Sequence, residues 1–135
     1  MTVYTAIHAT PSVEVYRMLR VDSGLSAKSE AAAVRGLANT LFAVQILGDG
    51  EPIGMGRVIG DDGCFYQVVD IAVLPRHQGQ GLGKRIMQEI SAYLREHAPQ
   101  TAYVSLIADG EARHLYAQYG FELTAPASVG MAFER

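Results

Sequence analysis

The chain has 135 residues, of which 49% are hydrophobic and 19% charged, and its formal net charge is -3 at pH 7. These values favour one globular domain over residues 1–135 and argue against a nucleic-acid partner. No apolar run is long enough to span a membrane, and residues 1–10 lack the pattern of a secretion signal, so we expect no membrane partner and a cytoplasmic location. Cys64 is the single cysteine, which excludes an internal disulfide and a cysteine zinc cluster.

The first half of the chain predicts a strand, two helices and an antiparallel meander. Residues 3–8 alternate as a strand does, and Thr10 followed by proline predicts a helix over 11–21. Ser26 or Ser29 would cap a second helix. Three β-rich segments follow, separated by turn residues, at 41–47, 52–60 and 64–74.

The second half predicts a crossover from one strand to a parallel neighbour. Apolar residues recur at helical spacing from Leu82 to Leu94, and this helix should stop before Pro99. Residues 103–108 are nearly all apolar, as in a buried parallel strand. A right-handed connection would join the two strands. The remaining predicted elements are a helix over 111–119 and strands at 121–124 and 130–134.

A glycine-rich turn, with Gly79, Gly81 and Gly83 at alternate positions, precedes the long helix. Four basic residues and no acidic ones lie between positions 76 and 85, so the local charge opposes that of the whole chain. Free backbone N–H groups at a helix start, together with this charge, favour a phosphate site. The registers of the mononucleotide P-loop and of the dinucleotide fingerprint both fail, the latter because its third glycine would fall on Lys84.

The pattern that fits is Gln or Arg, two residues, Gly, one residue, and Gly or Ala, and it occurs twice, starting at Arg76 and at Gln78. It resembles the coenzyme A pyrophosphate loop of the GCN5-related N-acetyltransferases (GNAT). Residues 112–121 resemble that family's A-x-x-L-Y-x-x-x-G-F signature, and the order of elements agrees over nearly the full length. The resemblance implies a mixed α/β fold with a central sheet of about six to seven strands flanked by about four helices.

Acetyl-CoA is the cosubstrate that the resemblance implies. In this fold the strand that ends at Leu74 and the strand that starts near Tyr103 should separate, so that pantetheine amides pair with the freed edge. Asp109 stands where many members have asparagine; it can cap a helix but cannot donate an amide hydrogen. The expected cofactor-binding residues are Ile71, Ala72, Val73, Arg76, Gln78, Gly79, Gln80, Gly81, Leu82, Gly83, Lys84, Asp109 and Tyr116.

Two residues are the candidates for catalysis. By resemblance, Tyr116 protonates the leaving thiolate; from its helical spacing alone it would be a core residue on the same face as Leu115 and Tyr119. Asp70 is expected on one strand face with Tyr66, Val68 and Ala72, where a carboxylate calls for explanation. It could be the base or bind the acceptor amine, pair with Arg57 as a buried partner, or act as a capping acceptor.

The acceptor side is expected to involve Arg57, Asp70 and Leu25, with Arg57 able to contact an acidic group on the acceptor. His77 is expected near the phosphates. No set of ligands has metal spacing, so we expect no metal.

The sequence thus predicts an acetyl-CoA-dependent N-acetyltransferase that acts on a primary amine in a ternary complex. A small amine, such as an arylalkylamine or a polyamine-like compound, is preferred, because the chain adds no peptide-binding insertion. Protein lysines and N-termini are the alternative acceptors, and a non-catalytic acyl-CoA sensor is the alternative from another class. A homodimer is possible if a strand at 131–133 pairs with another subunit.

Overall fold

A computed structural model describes all 135 residues. Its sheet has five strands in chain order: β1 (Tyr4–Ile7), β2 (Phe42–Gly48), β3 (Glu51–Gly60), β4 (Phe65–Val73) and β5 (Tyr103–Leu106). The helices are α1 (Val13–Asp22), α2 (Glu30–Leu37), α3 (Leu82–His97) and α4 (Arg113–Ala117). None of these helices combines the length and apolar character needed to cross a bilayer. The predicted mixed α/β class is confirmed.

Strands β2, β3 and β4 form the predicted antiparallel meander, and β1 pairs antiparallel with β2. Strand β5 runs parallel to β4 after the crossover through α3. The prediction that the strand at 103–108 is buried was wrong, because β5 lies at the edge of the sheet. Its first residue, Tyr103, is 52% exposed. Only one side of β5 is therefore covered by a neighbouring strand.

Helix α3 packs closely against one face of the sheet. Ile86 and Ile90 of α3 are fully buried between the helix and the sheet. A Cβ atom on Gly56 would lie 2.7 Å from Ile86 and 2.9 Å from Ile90, so β3 needs glycine at this point for the helix to approach. Helices α1 and α2 cover the opposite face.

The first helix begins two residues later than predicted. Ser12 caps α1, and its side-chain oxygen accepts a hydrogen bond from the Val15 N–H at 3.2 Å. Thr10 and Pro11 therefore precede the helix, because the hydroxyl of Ser12 satisfies a free N–H of the first turn. Of the two candidates for the second cap, Ser29 is the one observed.

The C-terminal part of the chain differs most from the prediction. Residues 121–124 and 130–134 form no strands, so the sheet has five strands rather than six or seven. Leu123, Met131 and Phe133 are all more than 70% exposed, whereas Phe121 is partly buried and packs against the core. Helix α4 is also short, because a 3-10 turn over 110–112 precedes it.

Candidate functional site

The site begins where β4 and β5 separate. Their pairing runs from Phe65 opposite Tyr103 to Val68 opposite Leu106, while β4 continues to Val73. The last part of β4 therefore has no neighbour on this side, and the predicted separation is confirmed. Its free backbone groups can pair with an extended ligand as an added strand would.

A β-bulge in β4 sets the direction of the side chains at this edge. Asp70 and Ile71 together oppose the single residue Gly56, and Asp70 has a positive φ of 61°. An extra residue of this kind re-aims the side chains that follow it. Ile71 accordingly lies near Gly56 on the face of α3, whereas Asp70 contacts Tyr16 of α1 on the other face.

The bulge makes one sequence prediction wrong. Val68 opposes Val58 on the face of α3, and Tyr66 precedes it by two residues in regular strand. Asp70 therefore shares its face with Ala72 but not with Tyr66 and Val68. Strict alternation assigned all four residues to one face, because the sequence does not show where a ladder holds an extra residue.

Asp70 is the centre of a buried polar cluster that we call the Asp70 cluster, made of Tyr16, Arg20, Arg57 and Asp70. Its Oδ1 accepts from Arg20 Nη1 at 2.6 Å and from the Tyr16 hydroxyl at 3.0 Å, and Oδ2 accepts from Arg57 Nε at 2.9 Å. The three charged side chains are 5–10% exposed. Burial, and then the Asp70 carboxylate, raise the pKa of Tyr16.

This geometry confirms the alternative in which Asp70 is a buried partner of Arg57. Sequence reasoning missed Arg20 and Tyr16, although their i, i+4 spacing on α1 placed both on one helix face. A role as base stays a prediction. An incoming amine would have to compete with the donors that both carboxylate oxygens already accept from.

Replacing Asp70 with asparagine is expected to lower the free energy of unfolding by about 3–5 kcal/mol, because Arg20 and Arg57 would stay buried without a counter-charge. Asparagine keeps the shape of the side chain and tolerates the left-handed backbone at φ 61°. Urea unfolding measures the loss. Tyr16→Phe is the matched control; it removes one hydrogen bond to the same carboxylate and should cost less, about 1.5–3 kcal/mol at most.

The same variant separates the two roles of Asp70. If Asp70 acts only as the base, Asp70→Asn should keep the stability of the parent but lose about 100-fold in turnover and show a changed pH profile. A variant as stable as the parent would contradict the structural role assigned to the cluster.

A cavity of about 550 Å³ opens between the Asp70 cluster and α4. It brings together these residues predicted for the site: Leu25, Arg57, Asp70, Ile71, Asp109 and Tyr116. It also includes polar residues that the sequence analysis did not select: Tyr16, Arg20, Lys28 and Gln67. Ala72 and Val73, on the free edge of β4, and the loop residues 76–84 lie outside its lining.

Tyr116 offers a proton donor beside the cavity. Its side chain packs against the hydrophobic core and lines the cavity, and its hydroxyl has no hydrogen-bond partner within the protein. Burial, and then the charge of Asp109, raise the pKa of this phenol. The hydroxyl therefore keeps its proton at neutral pH and can donate it.

Asp109 lies at the start of the 3-10 turn before α4. Its backbone carbonyl accepts from Ala112 N–H at 3.1 Å, but its side chain makes no capping hydrogen bond. An aspartate can cap a helix, as the sequence analysis noted, but this side chain does not cap the turn. The carboxylate lines the cavity instead.

The glycine loop is an open cradle at the start of α3. Gly79 and Gly81 have φ values of 79° and 77°, and a Cβ atom on either would meet no atom within 4 Å. From Gly79 to Lys84 no backbone N–H donates a hydrogen bond within the protein. Free N–H groups at a helix start, beside the exposed Arg76 and Lys84, fit a diphosphate.

Neighbouring contacts hold this loop in place. Gln78 Nε2 donates to the Val73 carbonyl at 2.9 Å, which ties the loop to the end of β4. His77 was expected at the phosphates, but its Nδ1 lies 2.7 Å from the Tyr4 hydroxyl, so it fixes the loop to β1. No group of three His, Cys, Asp or Glu side chains is arranged to hold a metal ion.

Comparison with known proteins connects these features to a family. A family model described as an acetyltransferase (GNAT) domain matches residues 38–123. Serotonin N-acetyltransferase 2 of Oryza sativa is 37% identical over 87 residues, which is 64% of this chain and 42% of that protein. Histone acetyltransferase TAP1 of Glycine max is 32% identical over 58% of this chain and 33% of that protein. The chain thus spans less than half the length of these relatives.

Solved structures match over nearly the whole chain. A Staphylococcus aureus protein of unknown function, described as a probable acetyltransferase, is 44% identical with a TM-score of 0.92, covering 98% of this chain and 100% of that one. A GNAT family protein of Streptococcus pneumoniae is 25% identical with a TM-score of 0.80, covering 98% of both chains. An aminoglycoside N-acetyltransferase solved with CoA, at 16% identity and a TM-score of 0.71, shares the fold over 100% of this chain and 97% of that one.

Proposed function

The chain belongs to the GCN5-related N-acetyltransferase (GNAT) family, and on that basis we propose that it transfers the acetyl group of acetyl-CoA to the primary amine of a small molecule. The amine attacks directly in a ternary complex. The observation that carries this proposal is the free hydroxyl of Tyr116, which lines one cavity together with Ile71 on the unpaired edge of β4.

The chain supplies a group for each need of the reaction. The loop from Gly79 to Lys84 binds the diphosphate through its free N–H groups. The unpaired edge of β4 binds the pantetheine amides and offers an N–H to polarise the thioester carbonyl. As the amine nitrogen bonds to the acetyl carbon and the carbon–sulfur bond breaks, Tyr116 donates its proton to the departing thiolate. The nitrogen loses one proton as the amide forms, and its transfer through water to the Tyr116 phenolate restores the acid.

The cavity favours a small acceptor over a protein. Its volume of about 550 Å³ falls in the range of small-molecule sites. The names of the relatives include both a serotonin and a histone acetyltransferase, so the family alone does not decide between the two classes. A protein acceptor remains the alternative, and a panel must include lysine peptides.

Direct attack is tested by initial rates with a panel of amines, scored by release of free thiol. Rate plots at several concentrations of both substrates should intersect, as a ternary complex requires. Cys64 is exposed at the start of β4 and outside the cavity, so Cys64→Ser should keep parental rates. Parallel rate lines with loss of activity in Cys64→Ser would instead show a covalent acetyl-cysteine intermediate. Binding of acetyl-CoA without thiol release by any acceptor would indicate a sensor.

A further inference from the structure

The charges around the cavity do not balance. Three cationic side chains line it, Arg20, Lys28 and Arg57, against two carboxylates, Asp70 and Asp109. This excess of positive charge occurs in a chain whose net charge is -3. A site with the opposite sign to the whole molecule indicates an anionic ligand.

The excess of one positive charge lies inside the Asp70 cluster, because Lys28 and Asp109 balance each other. One carboxylate serves two guanidinium groups, and both arginines are at least nine-tenths buried. A buried charge without a counter-charge is costly, so the second guanidinium favours a further anion nearby.

Arg57 has a donor left for such an anion. Its Nε donates to Asp70, and its Nη1 donates to Thr40 Oγ1 at 2.6 Å and to the Gly36 carbonyl at 3.4 Å. No protein acceptor faces Nη2, and Nη2 is not among the fully enclosed atoms without a partner. Since Arg57 lines the cavity, Nη2 is available to a ligand there.

Lys28 provides a second cationic donor on the same cavity. Its side chain is exposed, lines the cavity and forms no ion pair. The loop that carries it is fixed to α1, because Arg17 Nε donates to the Lys28 carbonyl at 3.0 Å and Arg20 Nε donates to the Ser26 carbonyl at 2.8 Å. The backbone that carries the ammonium group is thus anchored beside the cavity.

We propose that the acceptor is a small amine that also carries an anionic group, a carboxylate or a phosphate, which Lys28 and Arg57 Nη2 bind. This inference rests on the proposed function and names its substrate class. It disfavours a polyamine-like acceptor, because a polycation would meet an excess of like charge in this cavity. An arylalkylamine fits the proposal if it also carries an anionic group.

Matched pairs of acceptors test the proposal. Tyrosine differs from tyramine by a carboxylate, and phosphoethanolamine differs from ethanolamine by a phosphate. Comparing the members of each pair therefore measures the effect of the anionic group. In at least one pair, kcat/KM should be about 10-fold or more higher for the anionic member. Equal or higher values for tyramine and ethanolamine would overturn the anionic class while leaving acetyl transfer to amines intact.

Lys28→Glu assigns the effect to the cavity. It should lower kcat/KM for the anionic member by about 10-fold or more and should not lower it for the analogue that lacks the anionic group. Arg35→Glu is the matched control, because it changes the net charge by the same amount as Lys28→Glu. Arg35 is exposed on α2 and lies outside the cavity lining. An equal loss of kcat/KM in both variants would mean that the net charge of the protein, and not an anion bound at Lys28, sets the preference. That result would overturn the proposed site.

If none of these amines is acetylated, anion binding at the cavity can be measured directly through the melting temperature. Succinate and inorganic phosphate, compared with chloride at equal ionic strength, should raise the melting temperature of the parent and of Arg35→Glu more than that of Lys28→Glu. Anions that bind at the glycine loop should raise the melting temperature of all three proteins equally, so this contribution drops out when the shifts are compared. Equal shifts in all three would overturn the proposed anion site, whereas a selective shift without turnover would contradict the proposed reaction instead.

Discussion

Gly81→Glu is expected to abolish acetyl-CoA binding while the protein stays folded. Gly81 caps α3, and its Cβ position is open space among N–H groups that donate to nothing in the protein. A carboxylate placed there would repel a diphosphate and occupy its position. Calorimetric titration with acetyl-CoA should show a loss of at least about 100-fold in affinity, which is roughly 3 kcal/mol.

The control must account for strain, because Gly81 has a φ of 77° and any side chain there is disfavoured. Gly50→Glu provides the match: Gly50 lies in the turn between β2 and β3, with a φ of 85° and no atom within 4 Å of its Cβ position. Both variants should lose similar stability, and only Gly81→Glu should lose binding. Parental affinity in a folded Gly81→Glu variant would remove the loop from the cofactor site.

The sequence predicted the parts of the site that depend on local pattern. Glycines at alternate positions before a helical stripe mark an open helix start, and the structure shows unpaired N–H groups there. The separation of β4 from β5 was also foreseen, through the resemblance to the family, and the ladder ends at Val68. The glycine loop could be predicted because it depends on a few residues that are close in the sequence, whereas the separation of the two strands was predicted from the resemblance alone.

Features that depend on tertiary contacts were missed. At the bulge, Asp70 and Ile71 of β4 oppose the single residue Gly56 of β3. Only the register between the two strands reveals this, and the register cannot be read from either strand alone. Arg20 was missed for a related reason: its partner Asp70 is 50 residues away, and a charged residue in an amphipathic helix usually faces solvent. The absent C-terminal strands show the same limit, since alternation alone supplies no partner edge.

Tyr116→Phe separates an enzyme from a sensor, and we expect it to lower kcat by about 10-fold to 1,000-fold. The change removes only the proton donor, because the ring keeps its packing against the core. Stability should hardly change, since the hydroxyl has no hydrogen-bond partner to lose. Affinity for acetyl-CoA should also stay close to that of the parent.

The pH dependence of kcat adds a second readout. Burial and Asp109 raise the pKa of Tyr116 above its ordinary value of 10.0, so the phenol stays protonated at higher pH than a free tyrosine. The parent should therefore gain rate as the acceptor amine loses its proton and should show no decline up to about pH 10. Tyr103→Phe is the control for loss of a phenol and should follow the parent, because Tyr103 is exposed and lies outside the cavity lining. Parental kcat in Tyr116→Phe, measured where the chemical step limits the rate, would mean that water protonates the thiolate and that Tyr116 serves the core.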